Sequence, residues 1–212
     1  MRHSVFFCFI ALFSFSLFSC AESEADVVSA SATAVFDYSD SESLPSVRLA
    51  VFVQVTSDIQ RADNFTISNT ESGYTWSVAK PGIFTGLNKS YAYSLNLNVP
   101  EGDSLPTGEY MLLYKDAAGS EDSIRFSVNY DKELLSANST ACKKILSNVT
   151  ENVAVYDASG ELLFMGKAKS SWKNNDSILR DYKLARTKRI CYVAPGNSII
   201  CMMPAEKLKT EN

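Results

Sequence analysis

The chain has 212 residues, with 20 basic and 24 acidic side chains, a formal net charge of −4 and 46% hydrophobic residues. This is the composition of a globular protein, not of a disordered or fibrous one, and its acidic balance argues against a nucleic-acid partner. The single histidine is His3. Hydrolysis that depends on histidine, and zinc or iron sites that contain it, are therefore excluded for the rest of the chain.

Residues 1–19 have the pattern of an export signal. A charged start, with Arg2 and His3, precedes an apolar run over residues 5–18. That run is shorter than the ~20 apolar residues needed to span a bilayer, and no other stretch comes as close. We therefore predict a signal peptide that is removed after export. An uncleaved N-terminal anchor is the alternative.

The end of this segment, Leu17-Phe18-Ser19-Cys20, resembles the lipobox of bacterial lipoproteins. The resemblance implies that Cys20 becomes the first mature residue and carries acyl chains. Two or more chains hold a protein stably on a membrane, whereas one gives only reversible binding. The resemblance also implies that the outer membrane is favoured over the inner one, because Ala21 and not Asp follows the cysteine. The alternative is ordinary cleavage after Ala21, which would release a soluble secreted protein.

A short acidic tether is predicted next, over residues 20–31. Residues 21–45 contain six acidic side chains and no basic one, and their small and serine residues are typical of a flexible linker. The first strand is expected over residues 32–38.

From residue 45 onward apolar residues alternate with polar ones, which is typical of half-buried strands. Residues 47–55 form one such segment. A second, residues 91–99, is predicted to turn Tyr91, Tyr93, Leu95, Leu97 and Val99 toward the core.

Residues 108–128 have the pattern of a hairpin, with a turn at residues 116–119. Together with the start Gly108-Glu109-Tyr110, this hairpin resembles the end of an immunoglobulin-like or fibronectin type III-like domain. The resemblance implies a β-sandwich over residues 32–130. It also implies that Tyr110 is a corner tyrosine, whose hydroxyl bonds back to the backbone.

Residues 131–212 are predicted to form a second, smaller β-rich unit, so the expected fold is all-β. A short helix is expected near residues 131–146, and a hairpin turns at residues 157–160. One extended sandwich spanning the whole chain is the alternative. In the last hairpin, a three-residue loop around Pro195 would set Cys191 opposite Cys201, which predicts a disulfide between them.

Two features suggest binding surfaces. A basic segment could hold an anionic glycan, a lipid headgroup or an acidic partner, although such runs are also common on solvated faces. Trp172 lies in a polar loop and is the candidate exposed aromatic residue. The side chains of that basic segment are Arg180, Lys183, Arg186, Lys188 and Arg189.

These observations predict a lipoprotein of the bacterial cell envelope, anchored to the membrane through Cys20, with a non-catalytic binding or structural role. A protein or a glycan is the expected partner, and no cofactor, metal site or catalytic residue is predicted. One alternative is an envelope hydrolase that uses paired carboxylates, since two acids suffice for glycoside hydrolysis. The other is a secreted soluble binding module.

Overall fold

The computed structural model describes residues 25–86, 88–100 and 103–209. The predicted signal peptide and Cys20 lie outside the described residues. Within them the chain consists mainly of strands in two sheets, and the prediction of an all-β fold is confirmed.

The elements of the described residues are numbered in chain order. The strands are Val27–Asp37 (β1), Ser46–Val55 (β2), Ala62–Asn69 (β3), Thr75–Ala79 (β4), Gly82–Gly86 (β5), Lys89–Asn98 (β6), Gly108–Asp116 (β7), Glu121–Val128 (β8), Thr150–Asp157 (β9), Leu162–Gly166 (β10), Ala185–Val193 (β11), Ile199–Met202 (β12) and Glu206–Lys207 (β13). The α-helices are Ser139–Ile145 (α1) and Asn175–Asp181 (α2).

The two sheets differ in size. The large sheet has the order β10-β9-β11-β12-β1-β2-β6-β5, with β13 also paired to β11, and the small sheet has the order β4-β3-β7-β8. We call the side of the large sheet that faces the small sheet its inner face, and the opposite side its outer face. The helices lie on the inner side as well, because Cys142 of α1 and Ile178 of α2 join the apolar clusters there.

The core between the sheets follows from the alternation in β2. Leu49, Val51 and Val53 are fully buried on the inner face and meet Phe65 and Ile67 of the small sheet. Each such side chain stabilises the fold by ~1.5–3 kcal/mol through removal of apolar surface from water. Alternation of apolar and polar residues therefore predicted β2 correctly.

Strand β1 connects the two ends of the chain. It begins at Val27, five residues before the predicted start and inside the stretch expected to be tether. Its first half lies beside β8, where Asp122 accepts a hydrogen bond from the Val27 amide at 2.8 Å. Its last residues pair in parallel with β12, with Ala34 opposite Ile199. The large sheet therefore takes strands from both predicted units, and no break in it coincides with the predicted boundary near residue 130.

The turns of two hairpins are closed by the same arrangement of hydrogen bonds. In the turn between β7 and β8, one carboxylate oxygen of Asp116 accepts hydrogen bonds from the amides of Ala118 and Ser120, both at 2.9 Å. Asp157 does the same for the amides at positions 159 and 161 between β9 and β10. Both turns were predicted from their sequence, because aspartate bonds locally to backbone amides in turns.

The hydrogen bond implied for Tyr110 is present. Its side chain is fully buried, and its hydroxyl donates to the carbonyl oxygen of Pro106 at 2.5 Å. Burial raises the pKa of this phenol to about 12. The bond ties the start of β7 to the segment that precedes it, as a corner tyrosine does.

The predicted disulfide between Cys191 and Cys201 is wrong. The loop between β11 and β12 is one residue longer than expected, since the Ala194 amide bonds to the carbonyl of Ile199. Cys201 therefore faces Tyr192, and Cys191 faces Met202. Because neighbouring positions along a strand point to opposite faces, the two thiols lie on opposite sides of the sheet, and both are free.

The register places these thiols in different surroundings. Cys201 belongs to the core between the sheets, together with Cys142 of α1. A hydrogen bond with the Cys142 thiol, aided by burial, raises the pKa of Cys201. Cys191 lies on the outer face, where burial raises its pKa to about 11.

Candidate functional site

A β-bulge in β6 decides which side chains reach the outer face. Val51 of β2 lies opposite Ser94, but Leu49 lies opposite Leu97, so two residues of β6 face one residue of β2. Such an extra residue reverses the side-chain alternation of the strand. Leu97 is buried in the core as predicted, but the expectation that Tyr91 and Tyr93 point inward is wrong.

Four aromatic side chains consequently share the outer face of β2, β6 and β5. In one row across the strands, Phe52 of β2 lies opposite Tyr93 of β6. In the next row, Tyr91 of β6 lies opposite Phe84 of β5. The ring centroids are 5.4 Å apart in the first pair and 6.3 Å apart in the second, with planes inclined by 24° and 31°. We call this group the aromatic platform: Phe52, Tyr93, Tyr91 and Phe84.

A glycine beneath the platform makes its flat shape possible. A Cβ atom placed on Gly82 would lie 2.5, 2.7 and 2.8 Å from Cζ, Cε2 and Cε1 of Tyr93. Nearly equal distances to these three atoms put that point under the face of the ring, not at its edge. The Tyr93 ring therefore lies flat across Gly82 on the next strand, where any other residue would push it away. Aromatic rings cover glycines in sheets in this way.

The second row is built similarly. A Cβ atom on Gly86 would lie 2.9 Å from the Phe84 ring, so this ring is inclined along its own strand toward Gly86. Phe84 is nevertheless 54% exposed, because β5 is an edge strand and no strand of the described residues pairs beyond it. The platform is therefore most accessible at Phe84, whereas Tyr93 is half-buried.

Polar groups border the platform along β1 and β2. Ser31 lies opposite Phe52, and Gln54 lies opposite Tyr91. The Ser29 hydroxyl approaches the Gln54 amide oxygen at 3.5 Å. Lys89, opposite Gly86, adds a positive charge at this margin. Aromatic faces with neutral hydrogen-bonding neighbours are the chemistry of a site for an uncharged polar ligand.

The outer face continues past the platform into a second apolar group. Val35, Ala50, Ala154 and Cys191 are buried there among residues of the large sheet only. Asp37 covers this group with two ion pairs, to Arg189 at 2.6 Å and to Arg48 at 3.1 Å. This part of the face is closed by its own charged side chains, whereas the platform is not.

The basic side chains predicted to form one surface are separated. Arg189 is bound to Asp37 on the outer face, while Lys188 projects from the other face and pairs with Glu206 at 3.2 Å. Lys183 and Arg186 line a shallow groove with Lys209. Arg180 lies in α2, apart from that groove.

Trp172 is half-buried instead of projecting from a loop. Its indole N–H donates to Asp181 at 2.8 Å, and its ring packs edge-on against Phe164. The Lys169 ammonium lies 5.3 Å from the ring centroid and 3.0 Å from the same carboxylate. Trp172 therefore closes the apolar cluster under α2, and the sequence did not reveal this because α2 was expected to be loop.

The hydrolase alternative needs two carboxylates facing one cavity. Among the described residues, one open groove is lined by Asp26, Glu121 and Asp122. Asp26 accepts a hydrogen bond from Thr56, and Asp122 accepts one from the Val27 amide. These carboxylates anchor the start of β1 to its neighbours.

Among the residues described, no three potential metal ligands of the His, Cys, Asp or Glu type converge. No helix in the described ranges has the length and apolar character needed to cross a bilayer. Comparisons with protein-family models, with characterised proteins and with solved structures find no significant match to the chain.

Proposed function

We propose that the mature chain is a lipoprotein of the bacterial cell envelope that acts as a non-catalytic binding module. The observation that carries the proposal is the aromatic platform, four rings on a sheet face that the described helices leave open, of which Phe84 is exposed and the other three are half-buried. Contiguous exposed apolar surface on a folded protein usually marks an interaction site.

The anchor part of the proposal rests on the lipobox-like segment that ends at Cys20. Strand β1 begins at Val27, so six residues separate the acylated position from this strand. A chain of that length spans at most ~25 Å. The sandwich would therefore work close to the membrane, in the layer of envelope material next to it.

The platform lies at the end of the sheet from which this tether leaves. Ser29, near the start of β1, pairs with Gln54, which in turn pairs with Tyr91. A ligand on the platform would consequently be held near the membrane surface. This arrangement suits a protein that connects the membrane to a neighbouring envelope component.

Metabolic labelling of cells with a fatty-acid analogue tests the anchor. We expect the wild-type chain and Cys8→Ala to be labelled and Cys20→Ala to remain unlabelled, because Cys8 lies inside the predicted signal peptide. An unlabelled wild-type chain would refute the anchor, and its release into the medium would favour the secreted module. Retention of the purified mature chain on isolated envelopes tests the binding role.

A further inference from the structure

We infer that the aromatic platform is a binding site for a polysaccharide of the envelope, with sugar rings stacked on Tyr93, Tyr91 and Phe84. This inference rests on the proposed function and names the ligand class of the same site. One face of a pyranose ring presents several C–H groups, which are attracted to the negative face of an aromatic ring. The hydroxyl groups at its edge need hydrogen-bonding partners of the kind that surround the platform.

The orientation of the rings is the first argument. Tyr93 lies flat over Gly82, with its Cζ atom only 2.5 Å from where a Cβ would be. Phe84 leans toward Gly86 on its own strand. A ring that lies flat, as Tyr93 does, does not project into a bilayer or into a pocket of a partner protein. It presents a broad face, which a flat sugar ring can cover.

The spacing of the rings is the second argument. Within each row the two ring centroids are 5.4 and 6.3 Å apart, with planes inclined by 24° and 31°. Such separations approach the width of one sugar ring, so a chain crossing the strands would meet successive rings with successive sugars. The platform extends to the edge strand β5, and a long polymer can therefore continue past the protein.

The charge of the surroundings is the third argument. Ser29, Ser31 and Gln54 offer neutral donors and acceptors on one side, and Lys89 adds one positive charge at the margin. Binding to an anionic membrane surface depends on clusters of basic residues, but the arginines of this face, Arg48 and Arg189, are both paired with Asp37. A neutral or weakly anionic polysaccharide suits this face better than an anionic membrane surface does.

The test uses the purified mature chain carrying Cys20→Ser and three probes. These are isolated envelopes, the deproteinised and delipidated polysaccharide extracted from them, and vesicles of the envelope lipids. We expect binding to the first two, and loss of that binding after periodate has cleaved the sugar diols. Binding to the vesicles alone would overturn the inference in favour of a membrane contact.

Variants separate stacking from simple apolar contact. Tyr91→Leu and Phe84→Leu keep apolar bulk but remove the aromatic face, so each is expected to weaken polysaccharide binding several-fold to about tenfold. Tyr74→Leu is the matched control, because Tyr74 is a partly exposed aromatic residue packed on Trp76 next to the small sheet. Equal affinity of both platform variants and the wild type would overturn the inference. Circular dichroism of each variant establishes that it is folded.

The two proposals fail in distinguishable ways. If binding to envelopes is abolished by protease treatment of the envelopes but resists periodate, the module binds a protein, and the polysaccharide inference is wrong while the binding function stands. If the chain does not bind envelopes at all, both are wrong.

Discussion

The hydroxyl groups of Tyr110 and Tyr114 allow a controlled measurement of what one buried hydrogen bond contributes. Both side chains are fully buried on β7. The Tyr110 hydroxyl donates to Pro106 at 2.5 Å, whereas the Tyr114 hydroxyl has no hydrogen-bond partner among the described residues. Replacing each tyrosine by phenylalanine removes the hydroxyl oxygen, which is hydrogen-bonded in one case and without a partner in the other.

Tyr110→Phe should lower the free energy of unfolding by about 1–1.5 kcal/mol, because a net hydrogen bond is lost and the Pro106 carbonyl loses its donor. Tyr114→Phe should be neutral or stabilising by up to ~1 kcal/mol, because a buried polar group without a partner is costly. A difference of that size corresponds to several degrees in Tm for a chain of this length.

Urea unfolding of the soluble mature chain measures both changes, with the slope of the transition as a check that the unfolded states are comparable. The double variant should show additive changes if the two sites are independent. If the two single variants differ by less than ~0.3 kcal/mol, the hydrogen bond to Pro106 does not stabilise the fold as argued.

Three further predictions concern charge and thiols. Burial raises the pKa of Tyr110 to about 12. The free energy of unfolding should therefore be unaffected by this phenol below pH ~10 and should fall toward pH 12, by up to ~1.4 kcal/mol per pH unit. An unchanged urea midpoint over that range would contradict this. Asp37→Asn should lower the free energy of unfolding by ~2 kcal/mol, because Arg189 is only 15% exposed and loses its anionic partner. Glu121→Gln, in an exposed ion pair, is the control and should lower it by less than ~0.5 kcal/mol. Cys191, with its pKa raised to about 11 by burial, should resist alkylation near neutral pH in the native chain. The purified chain that begins at Cys20→Ser, unfolded without reductant, should release three thiols, from Cys142, Cys191 and Cys201; a single thiol would show that a disulfide had formed.

Local patterns in the sequence predicted most of the strands. The alternation in β2 and the aspartate turns at Asp116 and Asp157 depend on residues close in sequence, so propensity and turn chemistry sufficed. Helix α2 was missed although its start is readable, since Asn174 and Ser177 form a capping box. Here the lysine and asparagine residues around Trp172 were interpreted as a loop.

The platform could not be predicted for a physical reason. The apolar alternation of residues 91–99 is unbroken in sequence, yet the bulge at residues 95–96 inverts half of it. A bulge is selected by what packs on each face of the finished sheet, which a single strand does not encode. The flat position of Tyr93 depends on Gly82, which belongs to a strand that was not predicted. The disulfide prediction failed similarly, because one extra loop residue reverses which face Cys201 occupies.

The parallel pairing of β1 with β12 bears on how the chain folds. Ala34 pairs with Ile199, so one edge of β1 stays unpaired until nearly the whole chain is available. Contacts between residues so distant in sequence form slowly, and an unpaired strand edge is prone to join a neighbouring chain. The interval before β12 arrives is therefore the period in which this protein most needs protection by a chaperone.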